Sequence, residues 1–284
     1  MRKDILLPAL SLTGGVTGFF LRRWQLNTAY RSEVGLFSHG SPATLALLGL
    51  IGMLAVIFLL LLWDKGETPE DFLPAFHCPE EGQMALLASA GLLLMAAGAL
   101  GLWSGLQALQ QWRLAPVEYQ LSTLSAQLLA AALCLPGGLA ILLLGRMTYR
   151  EELNSAACRL ASLPAFAGLV WLFSCHLRHG IEPVLMKYGF TLAAALLLTL
   201  AHYYIAGFLF DRPCLRRTAF LALMGPVLGL VSLADRPGLF SAVAAIALSL
   251  SALAFARALL RATFGPPWPK RLEGRMPPPE EDAN

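Results

Sequence analysis

The sequence predicts an all-α integral membrane protein, a helical bundle of about eight transmembrane helices with both termini in the cytoplasm. Of its 284 residues, 57% are hydrophobic and 14% are charged, whereas a soluble domain carries about 25% charged residues. Apolar runs recur at the length of about 20 residues that a helix needs to cross a hydrocarbon core. Strand-like alternation is absent, and a backbone in lipid must satisfy its own hydrogen bonds, so we expect these runs to be helices.

The eight apolar runs differ in length and continuity. The second, fourth, sixth and eighth are long and unambiguous. The first, fifth and seventh are shorter and contain Pro8, Pro164 and Gly225-Pro226, which leaves their limits open and, for the first, also whether it crosses the membrane fully. The expected spans are residues 5–21, 42–63, 84–106, 121–144, 160–177, 190–210, 219–234 and 239–260.

The connections between spans are too short to hold a soluble catalytic domain. The two largest are 22–41 and the acidic segment 64–83. After Phe264 the chain becomes rich in proline and then in charge, a composition that cannot bury a core. We therefore expect residues 1–264 to form the bundle and residues 265–284 to form a disordered cytoplasmic tail.

Lys and Arg are concentrated in the cytoplasmic loops of membrane proteins, and their positions predict the orientation. Eight spans with the N-terminus inside put fourteen of the 21 basic residues in the cytoplasm and seven outside. Omitting the first span would put nine inside and twelve outside. The eight-span orientation also keeps Cys78, Cys158 and Cys214 on the reducing side of the membrane.

Only two ionisable residues, His202 and Arg257, fall well inside the predicted spans. Arg257 lies near the cytoplasmic end of its span, from which its side chain can extend to the lipid headgroups. His202 lies about 18 Å below the outer end of its helix. It either binds a solute or a proton, or it is a neutral core histidine hydrogen-bonded to a Ser or Thr.

The sequence predicts no cofactor, no metal site and no enzyme activity. His176 and His202 differ in depth by more than about 15 Å and cannot share a haem. Metal-binding residue types on the cytoplasmic side, Cys78 among them, lack the local pairing of structural zinc sites. No catalytic motif or nucleotide loop is present, and no nucleic acid partner is expected.

Small residues and prolines indicate where helices touch or break. Three pairs of glycines four residues apart allow close helix packing, either within the bundle or in a homodimer. Pro136-Gly137-Gly138 and Gly225-Pro226 either break their helices to expose a solute site, as in transporters, or cause ordinary proline kinks. The glycine pairs are Gly14/Gly18, Gly101/Gly105 and Gly225/Gly229.

Polar residues gather at the predicted outer face. Arg22 and Arg23 follow the first span and oppose the charge rule, so we expect them to pair with a carboxylate such as Glu118, Glu182 or Asp235. The set forms either an interfacial belt or an outer vestibule that recognises a small polar or anionic solute. The hypothetical ligand-binding residues are Arg22, Arg23, Glu118, His176, Glu182, His202 and Asp235.

Several segments resemble a group of uncharacterised polytopic membrane proteins from anaerobic Gram-positive bacteria. The resemblance is carried by residues 18–26 (GFFLRRWQL), 42–44 (PAT), 206–210 (AGFLF) and 233–235 (LAD). It extends over most of the chain and implies location in a bacterial cell membrane. It implies no activity.

Three classes of function are compatible with these features. A small-solute binding or transport protein with an outer polar vestibule is the first, and a structural or regulatory subunit that scaffolds a membrane protein partner or a homodimer is the second. A membrane-embedded enzyme would need acid, base or nucleophile groups at one depth, which the sequence does not supply. We therefore expect a noncatalytic bundle in contact with the lipid bilayer.

Overall fold

The computed structural model describes residues 2–31, 33–63, 69–114, 121–179 and 184–266. Among these residues it is an all-α bundle, and eight helices are long and apolar enough to cross a membrane. The helical fold and the number of candidate spans predicted from the sequence are thereby confirmed. The predicted tail, apart from its first two residues, lies outside the described residues.

The candidate spans are built from eight long helices and two short additions. A 3₁₀ turn, Leu233–Asp235, extends α9, and a short α6 precedes α7 within the fifth span. The helices are α1 (Lys3–Thr28), α2 (Pro42–Leu61), α3 (Phe72–Phe76), α4 (Glu81–Leu114), α5 (Leu121–Arg150), α6 (Ser155–Leu160), α7 (Leu163–His179), α8 (Leu185–Gly207), α9 (Leu215–Ser232) and α10 (Leu239–Phe264).

The first helix is longer than the sequence predicts. It continues seven residues beyond the expected end of the span, so Arg22 and Gln25 lie on the helix and face its buried side. A short antiparallel hairpin follows, formed by β1 (Tyr30–Arg31) and β2 (Leu36–Phe37). Because charge ends an apolar run without ending a helix, the hydrophobic pattern underestimates the length of α1.

Pro164 follows the turn that separates α6 from α7 in the fifth span, whereas the other internal prolines do not interrupt their helices. α1, α5 and α9 each continue through an internal proline, at Pro8, Pro136 and Pro226. Pro226 lies in a helix with fourteen of its eighteen residues buried, and Ser11 Oγ donates a 2.6 Å hydrogen bond to the Leu223 carbonyl close to it. Neighbouring helices therefore support the backbone around this proline, and a helix broken for solute binding is not observed at these positions.

The two ends of the described bundle lie at the same face. Lys3 Nζ donates a 3.0 Å hydrogen bond to the Leu61 carbonyl and lies 4.4 Å from the centroid of the Phe264 ring. Glu80 binds Arg257 on α10 at the same end of the molecule. We call this end the Glu80 face and the opposite end, where α9 finishes, the Asp235 face. Because both ends of the described bundle lie at the same face, the chain crosses the bundle an even number of times, in agreement with eight spans.

The small-residue pairs pack inside the bundle. A Cβ added to any of the six glycines would meet a side chain of another helix at 3.0 Å or less. Among the described glycines, the closest approach to the backbone of another helix is between α4 and α5, where Gly91 and Gly138 each face the other's carbonyl oxygen. Helix association in lipid depends on such close backbone contact, so these glycines serve intramolecular packing.

Candidate functional site

Arg22 is the centre of a buried polar network at the Asp235 face. Its side chain is fully buried, and all three of its nitrogens donate hydrogen bonds. Nε contacts Asp235 Oδ1 at 2.7 Å, Nη1 contacts Gln25 Oε1 at 2.6 Å, and Nη2 contacts the Met186 carbonyl at 2.8 Å. The guanidinium thus joins α1 to the start of α8 and to the turn after α9.

Two aromatic rings lie against the same guanidinium. The Phe190 and Phe37 centroids lie 4.7 and 5.5 Å from Arg22 Cζ, and Phe37 belongs to the hairpin that follows α1. Gln25 in turn donates a 2.8 Å hydrogen bond to Thr44 Oγ1 at the start of α2. Each guanidinium nitrogen of Arg22 thus donates to an acceptor within the protein, and two rings contact the same group. Arg22 therefore acts as a structural link between helices and is not presented to a solute.

Asp235 has one carboxylate oxygen engaged and one without a partner. Oδ1 accepts the hydrogen bond from Arg22 Nε, whereas Oδ2 is buried and has no hydrogen-bond partner among the described residues. The next residue, Arg236, adopts the left-handed conformation with φ 52°, which turns the chain sharply towards α10. Buried polar atoms are nearly always hydrogen-bonded, so this oxygen is a candidate acceptor for a donor from outside the described residues.

Asp235 lines a cavity of about 270 Å³ at this face, which we call the Asp235 pocket. Among its described lining residues three are cationic, Arg178, Lys187 and Arg236, and one is a carboxylate, Asp235, which is paired with Arg22. The described lining therefore carries more cationic than anionic side chains. Its lining residues are Cys175, Arg178, His179, Lys187, Tyr188, Thr191, Asp235, Arg236, Pro237, Gly238 and Ser241.

The sides and floor of the Asp235 pocket are ordered by contacts between helices. The His179 and Tyr188 rings stack with centroids 5.1 Å apart and planes 7° apart. Arg178 Nη2 donates a 2.6 Å hydrogen bond to Gln127 Oε1 on α5. Below the pocket, the buried Trp171 donates to Ser241 Oγ at 3.3 Å. These contacts link α5, α7, α8 and α10 around the pocket.

The structure brings together only some of the residues that the sequence grouped. Arg22 pairs with Asp235, one of the three carboxylates proposed for it. Arg23 and His176 are exposed, and neither lines the Asp235 pocket. Glu118 and Glu182 lie outside the described residues, so their predicted roles stay predictions.

His202 does not belong to this site. It lies sixteen residues along α8 from Met186, about 24 Å at the helical rise. Its Nε2 is 2.7 Å from Ser251 Oγ and its Nδ1 is 2.8 Å from the Leu198 carbonyl. Both ring nitrogens are thus engaged in the core, which agrees with the histidine–serine pair that the sequence left as an alternative to solute binding.

The Arg257 guanidinium forms an ion pair with a carboxylate of the protein. Its Nη2 lies 2.6 Å from Glu80 Oε2, and Arg261 lies 3.2 Å from the other oxygen of the same residue. The expectation of simple extension to the membrane surface was incomplete, because Glu80 precedes α4 and is brought against the end of α10 by packing that no local pattern reveals.

The cysteines at the Glu80 face show no arrangement for metal. Within the described part of the chain, no group of three or more His, Cys, Asp or Glu residues is placed to hold an ion. Burial raises the pKa of the Cys78 thiol, which favours the protonated form over the thiolate that binds metals. His77 Nδ1 lies 3.0 Å from the Thr148 carbonyl instead.

Sequence reasoning missed several residues of the site. Arg178 and Lys187 belong to the polar residues that the sequence places at the outer face, but neither they nor Arg236 were included among the hypothetical ligand-binding residues. Gln25 carried a usable signal, because it lies three residues after Arg22 and therefore on the same side of a helix. Detecting it required extending α1 beyond its apolar run.

No protein-family model, no curated protein and no solved structure matches this chain.

Proposed function

We propose that this chain is a noncatalytic multi-pass protein of a bacterial cell membrane that binds a small anionic solute in the Asp235 pocket. One observation carries the proposal: among the described residues that line the pocket, three are cationic and one, Asp235, is a carboxylate, which is paired with Arg22. Carboxylate or phosphate groups are the complement of such an array. The resemblance noted in the sequence supports the bacterial membrane.

The volume of the Asp235 pocket and the carboxylate of Asp235 limit the class of solute that would fit. A cavity of about 270 Å³ is smaller than the range of about 300–1,000 Å³ usual for drug-sized ligands. Asp235 Oδ2 lacks a donor among the described residues, so a solute with a hydroxyl or ammonium group beside its anionic group would satisfy it. Small hydroxy acids and amino acids combine both features.

Binding is better supported than passage through the bundle. Trp171 on α7 donates a hydrogen bond to Ser241 on α10, a residue that lines the pocket, and His202 is hydrogen-bonded within the core. Transport would require α7 to move relative to α10. We therefore place binding first and treat transport as a further step that such a movement would permit.

A binding measurement on pocket variants tests this function. We expect lactate, glycerate, serine or phosphate to raise the thermal unfolding temperature of the purified protein, while glycerol does not. Arg236→Gln should weaken binding about tenfold or more, because a hydrogen bond to a charged group contributes about 1.5–3 kcal/mol. Arg23→Gln is the matched control, since Arg23 is exposed and does not line the pocket. Equal weakening by both variants, or no shift with any anion, would contradict the proposal.

We also propose that the Glu80 face is cytoplasmic and the Asp235 face is extracellular, as the distribution of Lys and Arg favours. A green fluorescent protein fused after residue 284 should then fluoresce, and alkaline phosphatase fused there should be inactive. The same enzyme inserted after Gly35, a turn residue of the β1–β2 hairpin, should be active. The opposite pattern would reverse the orientation and place the Asp235 pocket inside.

A structural or regulatory subunit is the second candidate, and α2 favours it. Only four of the twenty residues of α2 are buried. Among the described residues, no atom lies within 4 Å of a Cβ added to Gly49 or Gly52, so this face could receive another small-residue helix, from a partner or a second copy. A bundle that binds no anion but associates through α2 would favour scaffolding.

A further inference from the structure

A second cavity lies on the side of the bundle, at the opposite end from the Asp235 pocket. It is a groove of about 960 Å³ between the first turns of α7 and the last turns of α8, and it reaches the loop before α9. Phe166, Leu169 and Tyr203 line it and are more than half exposed. Along α8 it extends from Thr199 to beyond Gly207, more than about 12 Å. We call it the α7–α8 groove.

The residues that line the groove differ between the part along the helices and the end at the Glu80 face, which we call its mouth. Apolar and aromatic side chains line the part along the helices, within spans that lipid would surround. At the Glu80 face, two exposed arginines, Arg212 and Arg217, line its mouth. Arg217 Nη1 donates a 3.4 Å hydrogen bond to the hydroxyl of Tyr204, another lining residue, which holds this guanidinium beside the groove.

The neighbouring Arg216, unlike Arg217, does not lie beside the groove. Its Nη2 donates to the Trp63 carbonyl at 3.3 Å, and its guanidinium lies 5.6 Å from the Trp63 ring centroid. Arg216 is thus directed at the end of α2 and does not line the groove. Two adjacent residues of one helix therefore serve different surfaces.

We propose that the α7–α8 groove is a binding site for an anionic phospholipid, whose acyl chain lies along α7 and α8 and whose phosphate pairs with Arg212 and Arg217. The apolar length fits a hydrocarbon chain, and the two cations at its mouth complement a headgroup phosphate. Basic residues beside clefts between transmembrane helices bind anionic headgroups in this way. The site is separate from the Asp235 pocket and does not depend on the function proposed there.

Lipid retention measured by native mass spectrometry tests the assignment. The purified full chain is incubated in neutral detergent with dioleoylphosphatidylglycerol or with dioleoylphosphatidylcholine, and bound lipids are counted. We expect one phosphatidylglycerol to bind more tightly than phosphatidylcholine. Arg212→Gln with Arg217→Gln should weaken phosphatidylglycerol about 25-fold, at about fivefold for each arginine near the membrane surface. Arg216→Gln, the matched control, should leave binding within twofold.

A second pair of variants tests the acyl chain. Leu169→Trp places a large side chain in the groove and should remove the retained lipid, whereas Leu196→Trp, on an exposed part of α8 outside the groove, should not. Circular dichroism checks that each variant stays helical. Equal retention of both lipids, an unchanged affinity in the double arginine variant, displacement by millimolar inorganic phosphate, or a dimer lost on Leu169→Trp would each overturn the assignment.

Discussion

Replacing Arg22 by alanine is expected to lower the free energy of unfolding by about 3–5 kcal/mol, the usual cost of removing one partner of a buried ion pair. The substitution leaves Asp235 buried without its cation and Gln25 and the Met186 carbonyl without a donor. It also removes the link between α1, α8 and the end of α9. Reversible unfolding in mixed micelles, followed by circular dichroism, measures the change.

The adjacent arginine provides the control for this prediction. Arg23 is exposed, and Arg23→Ala should change the free energy of unfolding by less than about 0.5 kcal/mol. The double variant Arg22→Met with Asp235→Leu should recover much of the loss, because it removes both charges and keeps apolar volume. Equal effects of the two single arginine variants would show that Arg22 is not the structural link inferred here.

This contrast between neighbouring arginines shows what the sequence can and cannot predict. Charge and hydropathy place both residues at the end of the first span and predict a partner for them, but they treat Arg22 and Arg23 alike. Helical geometry separates them by about 100° around α1, and only the packing of α8 and the turn after α9 decides which one is buried. The partner Asp235 lies 213 residues away, beyond the reach of local patterns.

The spans themselves were predictable because the membrane imposes one length and one secondary structure on every apolar run. Their limits were not, because helices such as α1 and α4 continue past the apolar residues into the polar ends. For Pro136 and Pro226 the sequence left a helix break and an ordinary kink as alternatives, and both helices continue through the proline. Pro226 is surrounded by other helices, and tertiary contacts there outweigh the local cost of the missing amide hydrogen.

The sequence predicted the location of the candidate site better than the residues that line it. The sequence indicated polar chemistry at one end of the bundle, and both Arg22 and Asp235 are there. The cationic lining of the Asp235 pocket was not predicted as a site, because Arg178 and Lys187 flank one connection, between α7 and α8, whereas Arg236 lies in another, between α9 and α10. Such a site depends on which helix ends are adjacent, and hydropathy carries no information about adjacency.

The close packing of α4 against α5 gives the second large expected effect on the free energy of unfolding. Gly138→Ala should lower the free energy of unfolding by about 1–3 kcal/mol, the usual cost of overpacking, and a larger residue by more. The added Cβ would press on the Gly91 carbonyl oxygen and lie 3.0 Å from the Met95 amide nitrogen. Both are backbone atoms that cannot rotate away, so the two helices must separate along their length.

The same substitution on an open helix face isolates this effect from helix propensity. At Gly49, where the described residues leave space for a Cβ, alanine should raise stability by about 0.5–1 kcal/mol, since it favours the helix over glycine. Helix propensity alone would therefore make Gly138→Ala stabilising, and only the contact with Gly91 reverses its sign. Stabilisation at both positions, measured by unfolding in mixed micelles, would mean that α4 and α5 are not packed backbone to backbone. In lipid, where apolar side chains gain little by leaving the bilayer for the bundle, loss of that contact removes much of what holds this pair of helices together.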